Sequence, residues 1–128
     1  HAQMISKVRV LTKPDFQAWL DEQSAEHLKL QAENPGRALL MSKGCIACHS
    51  TDGSKLIGPS FKGLFGKKEI VVSNGEEREI VVDEAYLKQS IMEPGKDIVK
   101  GYQPLMPPLP LTAEEVAAII EHIKELSE

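Results

Sequence analysis

The sequence predicts an all-α domain of about four to five helices carrying one small β-hairpin. Three observations predict it. Apolar residues recur at helical spacing in four separate stretches. Period-two alternation is confined to a short N-terminal run and to one pair of "EIVV" arms. No alternation of strands and helices points to a parallel sheet.

Length and composition bound the problem. At 128 residues there is room for one domain. An apolar fraction of 41% supports a globular core and argues against disorder. Yet three Phe, two Tyr and one Trp would make a thin core on their own, and a large bound group would fill it. The net charge of −4 leaves no basic footprint for nucleic acid. No stretch approaches the roughly 18 apolar residues of a membrane helix, and no secretory signal is present, so the chain as written is expected to be soluble.

The elements follow in order. "KVRVL" alternates, with Val8 and Val10 on one face and Lys7 and Arg9 on the other, which reads as a short strand. Pro14 and Asp15 open a helix in which Phe16, Trp19 and Leu20 share a side. Pro35-Gly36 breaks the chain, so residues 1–33 read as a leader and 34–128 as the main domain. "GRALLMSKG" is a helix that runs into "CIACHS". Residues 51–68 read as loop. "EIVV" at 69–72 and 79–82 form a hairpin with Asn74-Gly75 near its tip, on a connection longer than a tight two-residue turn. "DEAYLKQSIM" is a helix that stops before Pro94. "GYQPLMPPLP" is irregular, because four prolines remove donors and fix φ. The last helix starts with a capping box, Thr112 with Glu115, and carries an apolar stripe of Val116, Ile119, Ile120, Ile123 and Leu126.

The chemistry concentrates at Cys45-Ile46-Ala47-Cys48-His49, which holds both cysteines of the chain. A dithiol redox motif of this spacing sits after a strand in a βαβ setting, which is absent here. A structural zinc site takes about four ligands, and Cys45, Cys48 and His49 make three. C-type haem attachment requires this pattern. Two thiols three residues apart can add to the two vinyl groups of one porphyrin, and the adjacent imidazole can then reach the iron. Covalent haem is therefore the favoured reading.

For a second axial ligand the candidates are Met4, Met41, Met92, Met106, His27 and His122. Met41 and Met92 lie on amphipathic helices and are expected to pack in the core. His27 sits in a charged helix, and His122 falls on the polar side of the last helix, where it is expected to be solvated. Met106 lies among Pro104, Pro107, Pro108 and Pro110, in a stiff loop that can present a thioether at low entropic cost. His/Met ligation favours Fe(II), raises the potential and leaves no open position for O₂. The Pro59 carbonyl is a plausible acceptor for the second ring nitrogen of His49. Tyr102 is a candidate for a haem propionate or for simple packing.

"CIACH", "GPSFKGLFGKK", "GYQPLMPP" and the closing helix, in that order over about 37–126, resemble class I cytochrome c. The resemblance implies that fold, with the first helix ending at the attachment motif and the last packing across it around one covalent haem c. It carries the "GP" proline onto Pro59 and the methionine ligand onto Met106. The hairpin departs from the short mitochondrial type, and "VDEAYLKQSIMEPGKDIVKGYQPLMPP" is more similar to cytochrome c domains fused to the C-terminus of subunit II of haem-copper cytochrome c oxidases. "HAQMISKVRVLTKPDFQAWL" resembles the end of the copper-binding domain in that subunit, with His1 and Met4 matching two ligands of its dinuclear copper centre. The bridging cysteines are absent here, so His1 and Met4 are not expected to bind copper. The resemblance implies an electron carrier, catalysing nothing alone. It would take electrons from an external donor protein and pass them to the dinuclear copper, on the periplasmic side of a bacterial membrane. A free-standing soluble carrier, a haem sensor or peroxidase-like enzyme in which Met106 leaves the iron, and a dithiol oxidoreductase are the rivals. The lysines at 55–68 and 88–100 could steer acidic donors. The fragment is expected to be monomeric.

Overall fold

A computed structural model describes residues 7–128. The readings of His1 and Met4 lie outside the described residues. Among the described residues, four α-helices and a small antiparallel sheet follow one another as α1 (Lys13–Glu33), α2 (Pro35–Ser42), a single 3₁₀ turn (Cys45–Ala47), β1 (Lys68–Ser73), β2 (Glu76–Val81), α3 (Glu84–Met92), β3 (Ile98–Val99) and α4 (Ala113–Glu125). The strand order is β2-β1-β3.

Each helix starts where its sequence says it should. Thr12, Asn34, Asp83 and Thr112 all accept a hydrogen bond from a first-turn backbone N–H through their side chains. At Thr112 the capping box is complete, since Glu115 also accepts from the Thr112 N–H at 3.0 Å. Asn34 separates α1 from α2 by itself: its backbone N–H closes α1 on the Leu30 carbonyl, and its side chain opens α2. The Pro35 break is thus a corner between two helices.

The core joins Leu40 of α2, Phe61 and Val82 of the connecting segments, Leu87 and Ile91 of α3, and Val116, Ile119, Ile120 and Ile123 of α4. Helices α2 and α4 cross at Gly36, where a Cβ would strike the Ala118 carbonyl oxygen and the His122 Cβ. Burying four α4 side chains of this size is worth on the order of 1.5–3 kcal/mol each.

Four expectations change. Residues 7–12 form no strand, and Val8 and Val10 are about nine-tenths exposed. Among the described residues no partner strand meets their backbone groups, and alternation alone cannot make a strand. The hairpin turn is tight after all. Ser73 pairs with Glu76, so only Asn74 and Gly75 lie between, at φ 51° and 83°. Positive φ at both central residues matches the right-handed strand twist, and Asn-Gly is the pair that tolerates it. A third strand, Ile98–Val99, adds to β1. Finally, Met41 and Met92 are half exposed, whereas His122 is buried. The α2–α4 crossing covers His122, and Asn34 Nδ2 and Glu125 Oε2 lie 3.2 and 3.0 Å from its Nδ1.

Candidate haem site

The attachment pentapeptide begins where α2 ends. Cys45–Ala47 form one 3₁₀ turn, and the Cys45 carbonyl accepts from the N–H groups of both Cys48 and His49. That turn brings both cysteines and His49 into the lining of one cavity of about 290 Å³. Both cysteines are free thiols, and burial pushes the Cys45 thiol above its ordinary pKa.

The imidazole of His49 is held on three sides. Its Nδ1 lies 2.7 Å from the Pro59 carbonyl oxygen. A carbonyl only accepts, so Nδ1 carries the proton, and in the neutral ring Nε2 keeps its lone pair. Phe61 stacks on the ring with centroids 4.6 Å apart and planes 14° from parallel. Gly58 closes the third side, since a Cβ there would lie 2.5–2.9 Å from three ring atoms. Burial holds the His49 pKa below its ordinary value, against the opposing pull of the Pro59 carbonyl, so the ring is neutral at pH 7. A neutral, oriented imidazole with a free Nε2 is what a metal requires.

The rest of the cavity is apolar. Leu40, Leu87, Ile91, Ile119 and Ile123 line it from three helices, and Met106 lines it from the irregular proline loop. Pro59 and Tyr102 also face it. His27, Met41, Met92 and His122 do not; His27 instead bonds Gln31 on the exposed α1. Sequence reasoning missed Gly58, Phe61 and Asp97, which only the fold brings to the cavity wall. Gly58 could have been suspected from its place beside Pro59, but Phe61 and Asp97 carry no local signal.

This cavity fits a haem. It is lined mainly by apolar side chains, it has two thiols and a prepared imidazole in its lining, and it holds a thioether on its wall. The Ser90 hydroxyl facing it is buried with no hydrogen-bond partner among the described residues. No cluster of His, Cys, Asp and Glu among the described residues offers a rival protein-only metal site.

Such a fold and site define a haem-binding electron-transfer domain. The family model for cytochrome c matches residues 34–127, and the chain belongs to the cytochrome c family. Cytochrome c-551 of Stutzerimonas stutzeri is 34% identical over 91 residues, which cover 71% of this chain and 76% of that protein. Cytochrome c oxidase subunit 2 of Alkalihalophilus pseudofirmus is 28% identical over 131 aligned positions, covering 98% of this chain. The chain spans about a third of the length of that subunit, 35%. A cytochrome c domain binds one covalent haem c and carries electrons without catalysing a reaction by itself. No helix among the described residues is long and apolar enough to cross a membrane.

Proposed function

We propose that this chain is the haem domain of a cytochrome c oxidase subunit II, relaying electrons from an external redox protein to the dinuclear copper centre of its parent. Cys45 and Cys48 would hold the porphyrin through thioethers, and His49 Nε2 and the Met106 sulfur would be the ligands offered to its iron. Haem c supplies a one-electron Fe(III)/Fe(II) couple, and His/Met ligation keeps its potential high. Pro59, Gly58 and Phe61 hold the imidazole in one orientation, so little reorganisation accompanies a change of charge. The apolar walls exclude water, and Tyr102 is a candidate donor to a propionate. Residues 1–33 are the join to the copper domain, 34–128 the carrier, and the parent faces the periplasmic side of the membrane.

The observation that carries the oxidase assignment is the extent of the likeness. The oxidase subunit aligns across 98% of the chain, α1 included, whereas the likeness to cytochrome c-551 covers 71%. The higher identity to cytochrome c-551 favours a second reading, a free-standing carrier. Haem staining of fractionated source cells separates the two. A haem-bearing polypeptide much longer than this chain, in membranes and co-purifying with oxidase activity, supports the first reading. A short haem protein in the soluble fraction overturns it.

A further inference from the structure

Asp97 is not among the residues that would hold the haem, yet it lies between the haem cavity and a smaller pocket that it lines with Arg78 and Gln89. Its side chain is only 3% exposed. The carboxylate accepts hydrogen bonds from three different elements: Ser73 Oγ at the end of β1, Arg78 Nη2 of β2 at 2.6 Å, and Gln89 Nε2 of α3 at 2.6 Å. Three converging donors fix both the position and the ionisation of a buried carboxylate. Its counter-ion is placed quite differently. The Arg78 side chain is 53% exposed, and water screens its charge.

We infer that Asp97 is a potential-setting residue: a fixed negative charge in the wall of the haem cavity that holds the reduction potential below what the apolar pocket and His/Met ligation would otherwise give. When an electron arrives from the redox partner, which is oxidised by one electron, the charge inside the cavity becomes one unit more negative. A carboxylate fixed in the cavity wall by three donors opposes that change. The half-solvated guanidinium behind it offsets only part of the field. Asp97 touches neither iron ligand in this reading. It acts through space, and the sheet and α3 exist around it as the frame that keeps it ionised. This rests on the cavity being the seat of the haem and not on the oxidase assignment.

The sign of the effect separates this role from a structural one. If Asp97 only pinned its loop, its loss would admit water, favour the more highly charged Fe(III) form and lower the potential. If it acts as a charge, its loss raises the potential. The test is a spectroscopic redox titration of the haem-loaded protein and its Asp97→Asn and Arg78→Gln variants, with haem content measured alongside. Asp97→Asn should shift the equilibrium against a fixed mediator about tenfold towards the reduced form, about 59 mV for one electron. Arg78→Gln should shift it the other way by a smaller factor, about two- to threefold. Should Asp97→Asn fail to fold, Arg78→Gln alone decides through its sign. An unchanged or lowered potential in a fully haem-loaded Asp97→Asn, or a raised one in Arg78→Gln, overturns the proposal. Loss of haem from the unaltered protein would instead overturn the seating of the haem itself.

Discussion

Helices α1 and α2 meet at Asn34, yet they belong to different physical regimes. The longer one, α1, has 21 residues and buries none of them. The shorter, α2, has 8 and buries Gly36, Ala38 and Leu40. Helix α1 is held by its Thr12 cap, by local pairs such as Lys29–Glu33, and by the Phe16–Trp19 stack, whose ring centroids lie 5.9 Å apart. Such terms contribute tenths of a kcal/mol each. Helix α2 is held by the core and by its crossing with α4. The lesson is that length and helical periodicity make a helix, while contact with a second apolar face makes a domain.

Five measurements would break or sharpen that contrast. The largest effect is expected at the attachment turn. Cys45→Ala together with Cys48→Ala should abolish covalent haem, read as loss of haem staining on a denaturing gel. Met106→Ala should keep the haem but lose the weak Fe(III)–sulfur charge-transfer band, and the reduced form should gain fast CO binding. Slow or absent CO binding in that variant would count against Met106 as the ligand. Fast, tight CO binding by the unaltered protein would do the same.

Next comes the core. Ile123→Ala should cost about 2–5 kcal/mol in denaturant unfolding, because the side chain is 2% exposed and its neighbours cannot fully collapse. Trp19→Ala on α1 should cost less than about 1 kcal/mol, since the side chain is half exposed and the ring stacked on it, Phe16, belongs to the same helix. Equal costs would erase the distinction between the two helices.

Acid should act on the haem region first. Burial pushes the Asp97 carboxyl up, but the hydrogen bonds from Ser73, Arg78 and Gln89 outweigh that and leave it below the ordinary carboxylate range. A carboxyl depressed in the folded state stabilises the fold above its unfolded pKa of about 3.9, and that stability is lost as pH falls through the folded value. The unaltered protein should therefore lose stability steeply below about pH 4, and Asp97→Asn, less stable at pH 7, should lose much less over that window. Parallel pH profiles would contradict this account.

The smallest effect is expected from removing residues 1–33. A chain beginning at Asn34 should keep its haem spectrum and unfold within a few tenths to about 1 kcal/mol of the full chain. A large loss would show that α1 belongs to the domain.

Much of the site was legible in the sequence because its signals are local. The Cys45–His49 spacing, the Thr112–Glu115 box and the prolines around Met106 are each read within a few residues. Pro59 was singled out for its carbonyl, and its 2.7 Å contact with His49 Nδ1 has that geometry. The misreadings share the opposite property. The tight turn was missed because Ser73 and Glu76–Arg78, polar on their face, still pair across the hairpin. The helix face of His122 points to solvent, and the crossing at Gly36 buries it. Met41 and Met92 are apolar and on amphipathic helices, which points to the core, but the helix faces they occupy leave each about half exposed.

By itself, then, the sequence determined the helices, the Thr112–Glu115 cap of the last one, the two hairpin arms, and a pair of thiols beside an imidazole, because each depends on neighbours along the chain. Tertiary structure decided the rest. It set Phe61 and Gly58 against His49, it closed three donors from separate elements around Asp97, and it left α1 with no buried residue. Those outcomes depend on which surfaces meet across gaps of tens of residues, and burial, not local propensity, sets the energy of such contacts.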